Sequence, residues 1–306
     1  MIAILAPGQG SQTPGMLSPW LELDGAEERI AAWSDRAGLD LRRLGTTATA
    51  EEIVDTSVTQ PLVVAAALLA QAELEQRYTL PADTIVAGHS VGELAAAAVA
   101  GVLTADDAVG LAAVRGREMA AACALHPTGM TAVLGGDRDV VIAKLAEYGV
   151  EPANQNGAGQ IVAAGDLAAL QKLVTDLPEG VKSRALKVAG AFHTKYMAPA
   201  QDALREHAKT VVTADPTRTL LSNADGEDVP TGAETLHRLV DQVIRPVRWD
   251  ACMATLGRRG VTAVVELPPA GALVGLIKRE LPEVARVRLK TPDDLAAIAE
   301  LVEEAK

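Results

Sequence analysis

Gly88-His89-Ser90-Val91-Gly92 follows the apolar run Thr84–Ala87 and precedes a helical pattern from about Val91 to Ala100, stopped by Gly101. Glycines at both ends of a G-x-S-x-G sequence permit a sharp strand-to-helix turn that lifts the central hydroxyl clear of the sheet. Ser90 would then lie at a helix N-terminus, where unsatisfied N–H groups favour developing negative charge. Such a serine suits nucleophilic acyl chemistry, provided that a base lies within reach. A plain small-residue turn has the same spelling, so the strand before and the helix after are what favour the nucleophile.

The chain holds five histidines, His89, His126, His193, His207 and His237. His89 adjoins the serine, but neighbours on an elbow point different ways. His207 and His237 sit in charge-rich helical stretches, and His126 precedes Pro127 at a change of pattern. His193 follows Ala189-Gly190-Ala191-Phe192 at a strand end before a helix, where a side chain reaches a cleft, and it is the best partner for Ser90.

Arg115 lies on the next helix, Asp106 to about Ala124, among Leu111, Ala112, Ala113, Val114 and Met119. Most helical arginines are solvated. One held among small apolar neighbours could instead grip a carboxylate with two parallel hydrogen bonds, which lysine cannot do. The turn Gly8-Gln9-Gly10 follows an apolar strand, yet it lacks G-x-G-x-x-G and the Gly-Lys-Ser/Thr of a phosphate loop. A backbone N–H from this loop would suit one half of an oxyanion hole, with the N–H of Val91 as the other. No H-E-x-x-H and no cysteine pair is present, so no metal is expected.

Positioning these groups requires short buried strands alternating with helices, which favours an α/β fold with a largely parallel sheet. Residues 2–6 and 84–87 read as strands, and Thr59 reads as the cap of a helix with Pro61 in its first turn. After Pro127 the pattern changes to strand 130–134, helix 137–148, strand 160–164, helix 166–177 and strand 184–189. That series suits a small inserted ferredoxin-like α+β subdomain. The larger pattern resumes from Tyr196, with strands at 219–222 and 261–267 and a helix near 233–243.

Aromatic residues are only 2% of the chain, so the core must be built from Ala, Val, Leu and Ile, and base- or sugar-stacking functions are disfavoured. A formal charge of −12 argues against general nucleic-acid or anionic-membrane binding. The apolar runs near 62–70 and 94–103 are shorter than the ~20 residues of a membrane span. Two cysteines form no disulfide framework, and no basic region precedes Met1–Ala6, so a cytoplasmic protein is expected.

Taken in order, the segments Gly8–Gln12, Gly88–Glu93, Arg115-Gly116 with Met119, Asn154-Gln155-Asn156, Gly159–Val162, Gly190–His193, Gln242 with Pro246–Trp249, and Glu266-Leu267 before Gly271 resemble the malonyl-CoA:acyl-carrier-protein transacylase family. The resemblance covers nearly the whole chain. It implies an α/β-hydrolase-like large domain of residues 1–126 and 191–306, with a ferredoxin-like subdomain inserted at 127–190. By that likeness Ser90 is the acylated nucleophile, His193 its base, and Gln242 part of the segment that orients the histidine. Gln9 and Val91 supply the oxyanion donors, Arg115 holds the malonyl carboxylate, and Met119, Phe192 and Asn156 belong to the substrate site. Phe192, the single phenylalanine, would leave little room for an α-methyl group. Val91 stands where leucine is commoner, Ala158 where many relatives have proline, and Pro268-Pro269-Ala270-Gly271 in place of a Gly-Pro-Gly type of turn.

The implied reaction is ping-pong between malonyl-CoA and the phosphopantetheine thiol of an acyl carrier protein, with no cofactor beyond these substrates. It would serve fatty-acid synthesis, or polyketide synthesis as a trans-acting transferase. Activity is expected to fall as His193 protonates below about its reference pKa of ~6.5. A serine hydrolase or thioesterase shares the elbow, and a non-catalytic carrier-protein scaffold shares the fold. Carrier proteins of this kind are acidic, so Lys182, Arg184, Lys187 and Lys195 are candidates for a docking patch on a monomer.

Overall fold

The computed structural model describes residues 1–304, and its strands fall into two sheets. The strands are β1 (Ile2–Ala6), β2 (Ile85–Gly88), β3 (Thr128–Leu134), β4 (Glu151–Gly157), β5 (Gln160–Asp166), β6 (Lys182–Ala185), β7 (Thr219–Leu221), β8 (Val247–Arg248), β9 (Ala263–Glu266) and β10 (Ala285–Arg288). The first helices are α1 (Ala26–Ala37), α2 (Leu41–Thr46), α3 (Thr56–Arg77), α4 (Gly92–Val99), α5 (Ala105–Cys123) and α6 (Arg138–Glu147). They are followed by α7 (Leu167–Val174), α8 (Ala198–Ala208), α9 (Gly232–Asp241), α10 (Trp249–Arg258), α11 (Ala272–Glu280) and α12 (Ala296–Glu304).

The first sheet has the order β10-β9-β1-β2-β7, and every pair in it is parallel. β1 and β2 are buried at every position, as strands covered by helices on both faces must be. Their register aligns Ala6 with Gly88, so the Gly8-Gln9 loop and the Ser90 turn leave the sheet side by side at its carboxyl edge. That edge is where open parallel sheets place their sites. The two loops touch: the His89 N–H donates to the Ala6 carbonyl at 3.0 Å, and a Cβ on Gly8 would lie 2.6 Å from the His89 carbonyl oxygen.

The second sheet runs β6-β3-β5-β4-β8. Its β3-α6-β4-β5-α7-β6 chain order and antiparallel central pairing are those of a ferredoxin-like unit. The sequence reading missed β4, because Glu151-Pro152-Ala153-Asn154-Gln155-Asn156-Gly157 has no apolar alternation. It also set the last strand at 184–189. Lys182–Ala185 forms the strand, and the Leu186 N–H makes one further bond to the Met130 carbonyl at 3.0 Å. The Leu186 and Val188 side chains line the central cavity, an alternation that imitates a longer strand. β8, far along the chain, adds a parallel edge to β4 through Asn154–Val247 and Gln155–Arg248. The second sheet therefore takes a strand from outside residues 127–190.

α3 begins a turn earlier than expected. Asp55 is its cap, accepting from the Ser57 N–H at 2.8 Å, while the Thr59 hydroxyl donates to the Ile53 carbonyl. Pro61 thus falls inside the helix, where its missing N–H costs one intrahelical bond. By length and composition α3 could cross a bilayer, but most of its side chains are buried as it packs along α5. Gly116 permits this approach, since a Cβ there would lie 2.7 Å from the Thr56 carbonyl oxygen. In the β4–β5 hairpin Ala158 has φ 49°, a value closed to proline.

Candidate functional site

The turn between β2 and α4 places Ser90 at φ 54°, in the left-handed region. A non-glycine residue held there costs about 1–3 kcal/mol and persists only where neighbours over-determine it. Glycine is compulsory on either side of it. A Cβ on Gly88 would lie 2.1 Å from the Gly92 carbonyl oxygen, and one on Gly92 would lie 2.3 Å from that of Ala6.

His193 reaches the serine from the loop before α8, also at positive φ (60°). Its loop is pinned by Thr194 Oγ1 donating to the Ala191 carbonyl at 2.7 Å and by the Ala191 N–H donating to Thr128 Oγ1 at 3.1 Å. His193 Nε2 stands 2.7 Å from Ser90 Oγ, and Nδ1 stands 2.8 Å from the Gln242 carbonyl oxygen. A carbonyl only accepts, so Nδ1 carries the proton and Nε2 offers its lone pair to the serine hydroxyl. Burial, and then the nearby Arg115 charge, pull the imidazole down to about 3, so it is neutral across the physiological range, with the Nε2 lone pair free to accept a proton.

The backbone of Gln242, rather than its side chain, orients the histidine. The carboxamide faces the other way: Oε1 accepts from Arg115 Nη2 at 2.9 Å, and Nε2 donates to the Ser90 carbonyl at 3.1 Å and to Glu93. One residue therefore ties the base, the nucleophile and the arginine together.

Arg115 on α5 is 2% exposed and takes part in no ion pair among the described residues. Its Nη1 donates to Gln60 Oε1 at 2.7 Å, and its Nη2 lies 3.3 Å from Ser90 Oγ. Burial brings it down to about 10, which still leaves it charged at neutral pH. A buried cation whose hydrogen-bond partners are neutral amides and a hydroxyl is costly even with the Glu93 carboxyl acting on it through space, and an arriving carboxylate offsets that cost.

These groups open on a cavity of about 560 Å³ between the two sheets. Gln9 and Val91 line it, and among the described residues neither backbone N–H has an acceptor. Met119 and Phe192 form apolar wall beside Arg115 and His193. Asn156 lines the cavity from β4, with Oδ1 2.9 Å from His89 Nε2 and Nδ2 3.2 Å from Gln160 Oε1. His89, read as pointing away from the serine, thus forms wall rather than base. α11 contributes Leu273, Leu276 and Arg279, and Glu266 caps that helix by accepting from the Leu273 and Val274 N–H groups at 2.9 Å each. All nine residues expected at the site converge on it, with Gln242 behind the Ser90–Arg115 wall.

Sequence reasoning missed Gln60 and Asn223, and it quoted Glu93 without giving it a task. Each had a signal: Gln60 precedes the apolar run Pro61-Leu62-Val63-Val64, Asn223 follows a buried strand, and Glu93 opens an alanine-rich helix. A polar side chain at such a position must find partners inside the protein.

The acyl transferase domain model matches residues 4–294. Malonyl CoA-acyl carrier protein transacylase of Mycobacterium tuberculosis (strain ATCC 25618 / H37Rv) is 61% identical over 302 residues, 98% of this chain and 100% of the relative. A crystal structure of MCAT from Mycobacterium tuberculosis, 60% identical, superposes with a TM-score of 0.94 over 97% of this chain and 99% of that one. A structure of a type II PKS acyl-carrier protein in complex with its malonyl-transacylase gives 0.91 at 28% identity, covering 98% and 99%. The likeness runs from the first strand of the parallel sheet to the last, and the chain belongs to the malonyl CoA-acyl carrier protein transacylase family.

Proposed function

We propose that this chain moves a malonyl group from coenzyme A to the phosphopantetheine thiol of an acyl carrier protein, through a malonyl-Ser90 intermediate. The observation that carries the reading is Arg115, a buried guanidinium with no ion-pair partner among the described residues, 3.3 Å from the nucleophile. A hydrolase acting on neutral esters has no use for that charge. In the first half-reaction Ser90 Oγ attacks the thioester carbon while its proton passes to His193 Nε2. The Gln242 carbonyl steadies the imidazolium through Nδ1–H. The N–H groups of Gln9 and Val91 hold the tetrahedral oxyanion, a contribution of roughly 3–4 kcal/mol per donor in comparable enzymes. The C–S bond then breaks, and His193 returns its proton to the departing thiolate. In the second half the carrier thiol gives its proton to His193 and attacks the malonyl ester; the ester C–Oγ bond then breaks, and Ser90 Oγ takes that proton back from Nε2.

Arg115 holds the malonyl carboxylate, and Met119 and Phe192 pack against the methylene, which disfavours branched acyl groups. The buried free thiols of Cys123 and Cys252 suit a reducing, cytoplasmic setting. For the acidic carrier protein, the exposed Lys182, Arg184, Lys187 and Lys195 form no ion pair among the described residues, and Arg184 and Arg279 line the cavity. Charge reversal at Lys182 and Lys187 should raise the carrier-protein KM and leave malonyl loading intact. Equal damage to both half-reactions would exclude the patch.

Intact mass after brief exposure to malonyl-CoA or acetyl-CoA, without carrier protein, tests the whole reading. A malonyl adduct on the wild type and none on Ser90→Ala is expected. Rapid CoA release without an adduct would favour a hydrolase.

A further inference from the structure

The parallel ladder between β2 and β7 ends at Ala87 and Leu221, before the chain reaches the nucleophile. Two residues further on, Asn223 carries the pairing forward with its side chain. Its Nδ2 donates to the Gly88 carbonyl at 2.7 Å, and its Oδ1 accepts from the Ser90 N–H at 2.8 Å. A carboxamide thus stands where the next peptide of β7 would stand, and it spans the tightest part of the turn.

Asn223 is itself fixed on every side. Its N–H donates to Glu93 Oε1 at 3.0 Å, and its carbonyl accepts from the Arg248 N–H at 2.8 Å. Gln242 Nε2 lies 3.2 Å from its Oδ1 and also donates to the Ser90 carbonyl and to Glu93 Oε2. Ser90 therefore has its N–H held by one buried amide and its carbonyl by another. Both residues donate to the carboxylate of Glu93, which is 3% exposed: Asn223 through its backbone N–H and Gln242 through Nε2. Asn223 is fully buried, and its carboxamide makes contact with the backbone of the elbow rather than with the cavity.

We infer that Asn223, braced by Glu93, is a positioning residue that holds Ser90 in its left-handed conformation with Oγ aimed at His193 Nε2. The inference rests on Ser90 being the nucleophile, as proposed above. It assigns Asn223 a task in the acylation step and none in malonyl recognition. Among the described residues Asn223 makes no hydrogen bond to Arg115, whose Nη1 is held by Gln60 and whose Nη2 is held by Gln242 Oε1.

Single-turnover malonylation by mass, followed over a range of malonyl-CoA concentrations, separates the two. Asn223→Ala removes both bonds, and Asn223→Asp keeps the volume but turns an oxygen toward the Gly88 carbonyl. For Asn223→Ala the limiting acylation rate should fall about 10²-fold, the effect of a small misplacement of reacting groups. The half-saturating malonyl-CoA concentration should stay within about threefold, because Asn223 does not line the cavity and its loss leaves the binding contacts of malonyl-CoA in place. Asn223→Asp should also be slowed about tenfold or more, since one of two charge-free bonds becomes repulsive. It supplies the decision if the alanine variant does not fold. A wild-type acylation rate in either folded variant, or weakened saturation with an unchanged limiting rate, would overturn the inference. Wild-type protein that forms no adduct would instead sink the nucleophile reading itself, so the two failures are distinct.

Discussion

Replacing Arg115 by alanine takes away the buried positive charge beside Ser90 and leaves the nucleophile, base and oxyanion donors in place. In the wild type the guanidinium is 2% exposed and bound to the neutral oxygens of Gln60 and Gln242. A malonyl carboxylate entering the variant would have no partner at the same depth. Breaking a buried pair by removing one member costs about 3–5 kcal/mol. At 1.36 kcal/mol per decade this lowers kcat/KM for malonyl-CoA by roughly two to four orders of magnitude. Acetyl-CoA carries no carboxylate, so its kcat/KM should change far less and the malonyl-to-acetyl ratio should collapse. Arg115→Lys should fall between the two, because an ammonium restores charge without the planar fork. The assay is the initial rate of serine acylation with each thioester. Melting temperature serves as the control, since Gln60 and Gln242 lose a partner. An unchanged malonyl-to-acetyl ratio in a folded variant would refute the role given to Arg115.

The pH dependence reverses the expectation drawn from free histidine. With His193 pulled down to about 3 by burial and then by Arg115, the acid limb of kcat/KM should lie well below 6.5, and a limb centred near 6.5 would mean that the folded site leaves the imidazole unperturbed. The folded-state value is below the unfolded one, so this histidine's stability contribution is present above about 6.5 and is lost as pH falls toward 3. Urea midpoints measured from pH 7 to pH 4 should decline, and less steeply in His193→Asn; equal slopes would contradict this. Gly92→Ala should destabilise by about 1–3 kcal/mol or more, the usual cost of overpacking, because its Cβ would sit 2.3 Å from the Ala6 carbonyl oxygen. Chemical denaturation checks it, and a wild-type midpoint would show that the turn can relax.

Much of the site was legible because its chemistry is local. Ser90 lies within a five-residue turn whose glycines are demanded by carbonyl contacts at 2.1 and 2.3 Å, so the sequence spells the geometry out. Arg115 could be singled out because an arginine among small apolar neighbours on a helix must be buried or wasteful. His193 could be selected by elimination, since four of the five histidines stood in poorer settings. Period and punctuation likewise disclosed β1, β2 and the alternation of strands and helices that makes the first sheet parallel.

The rest depended on groups distant in the chain, and no local pattern encodes them. β4 is polar over most of its length, because Asn156 meets His89 and Gln160 and Gln155 meets Arg138, while Ala153 joins the apolar core. β8 joins the second sheet only because the fold returns residue 247 to residue 154. The family resemblance implied that Gln242 belongs to the segment orienting the histidine, but the tertiary structure decided that its carbonyl orients His193 while its amide serves Arg115 and Ser90. The low pKa of His193 is a property of the closed site and cannot be read from the residue. Residue types and spacing settle which groups can do chemistry, since those are covalent and local. Only the packed chain decides which hydrogen bond each group makes and how strongly it holds a proton, because burial and partners come from remote segments.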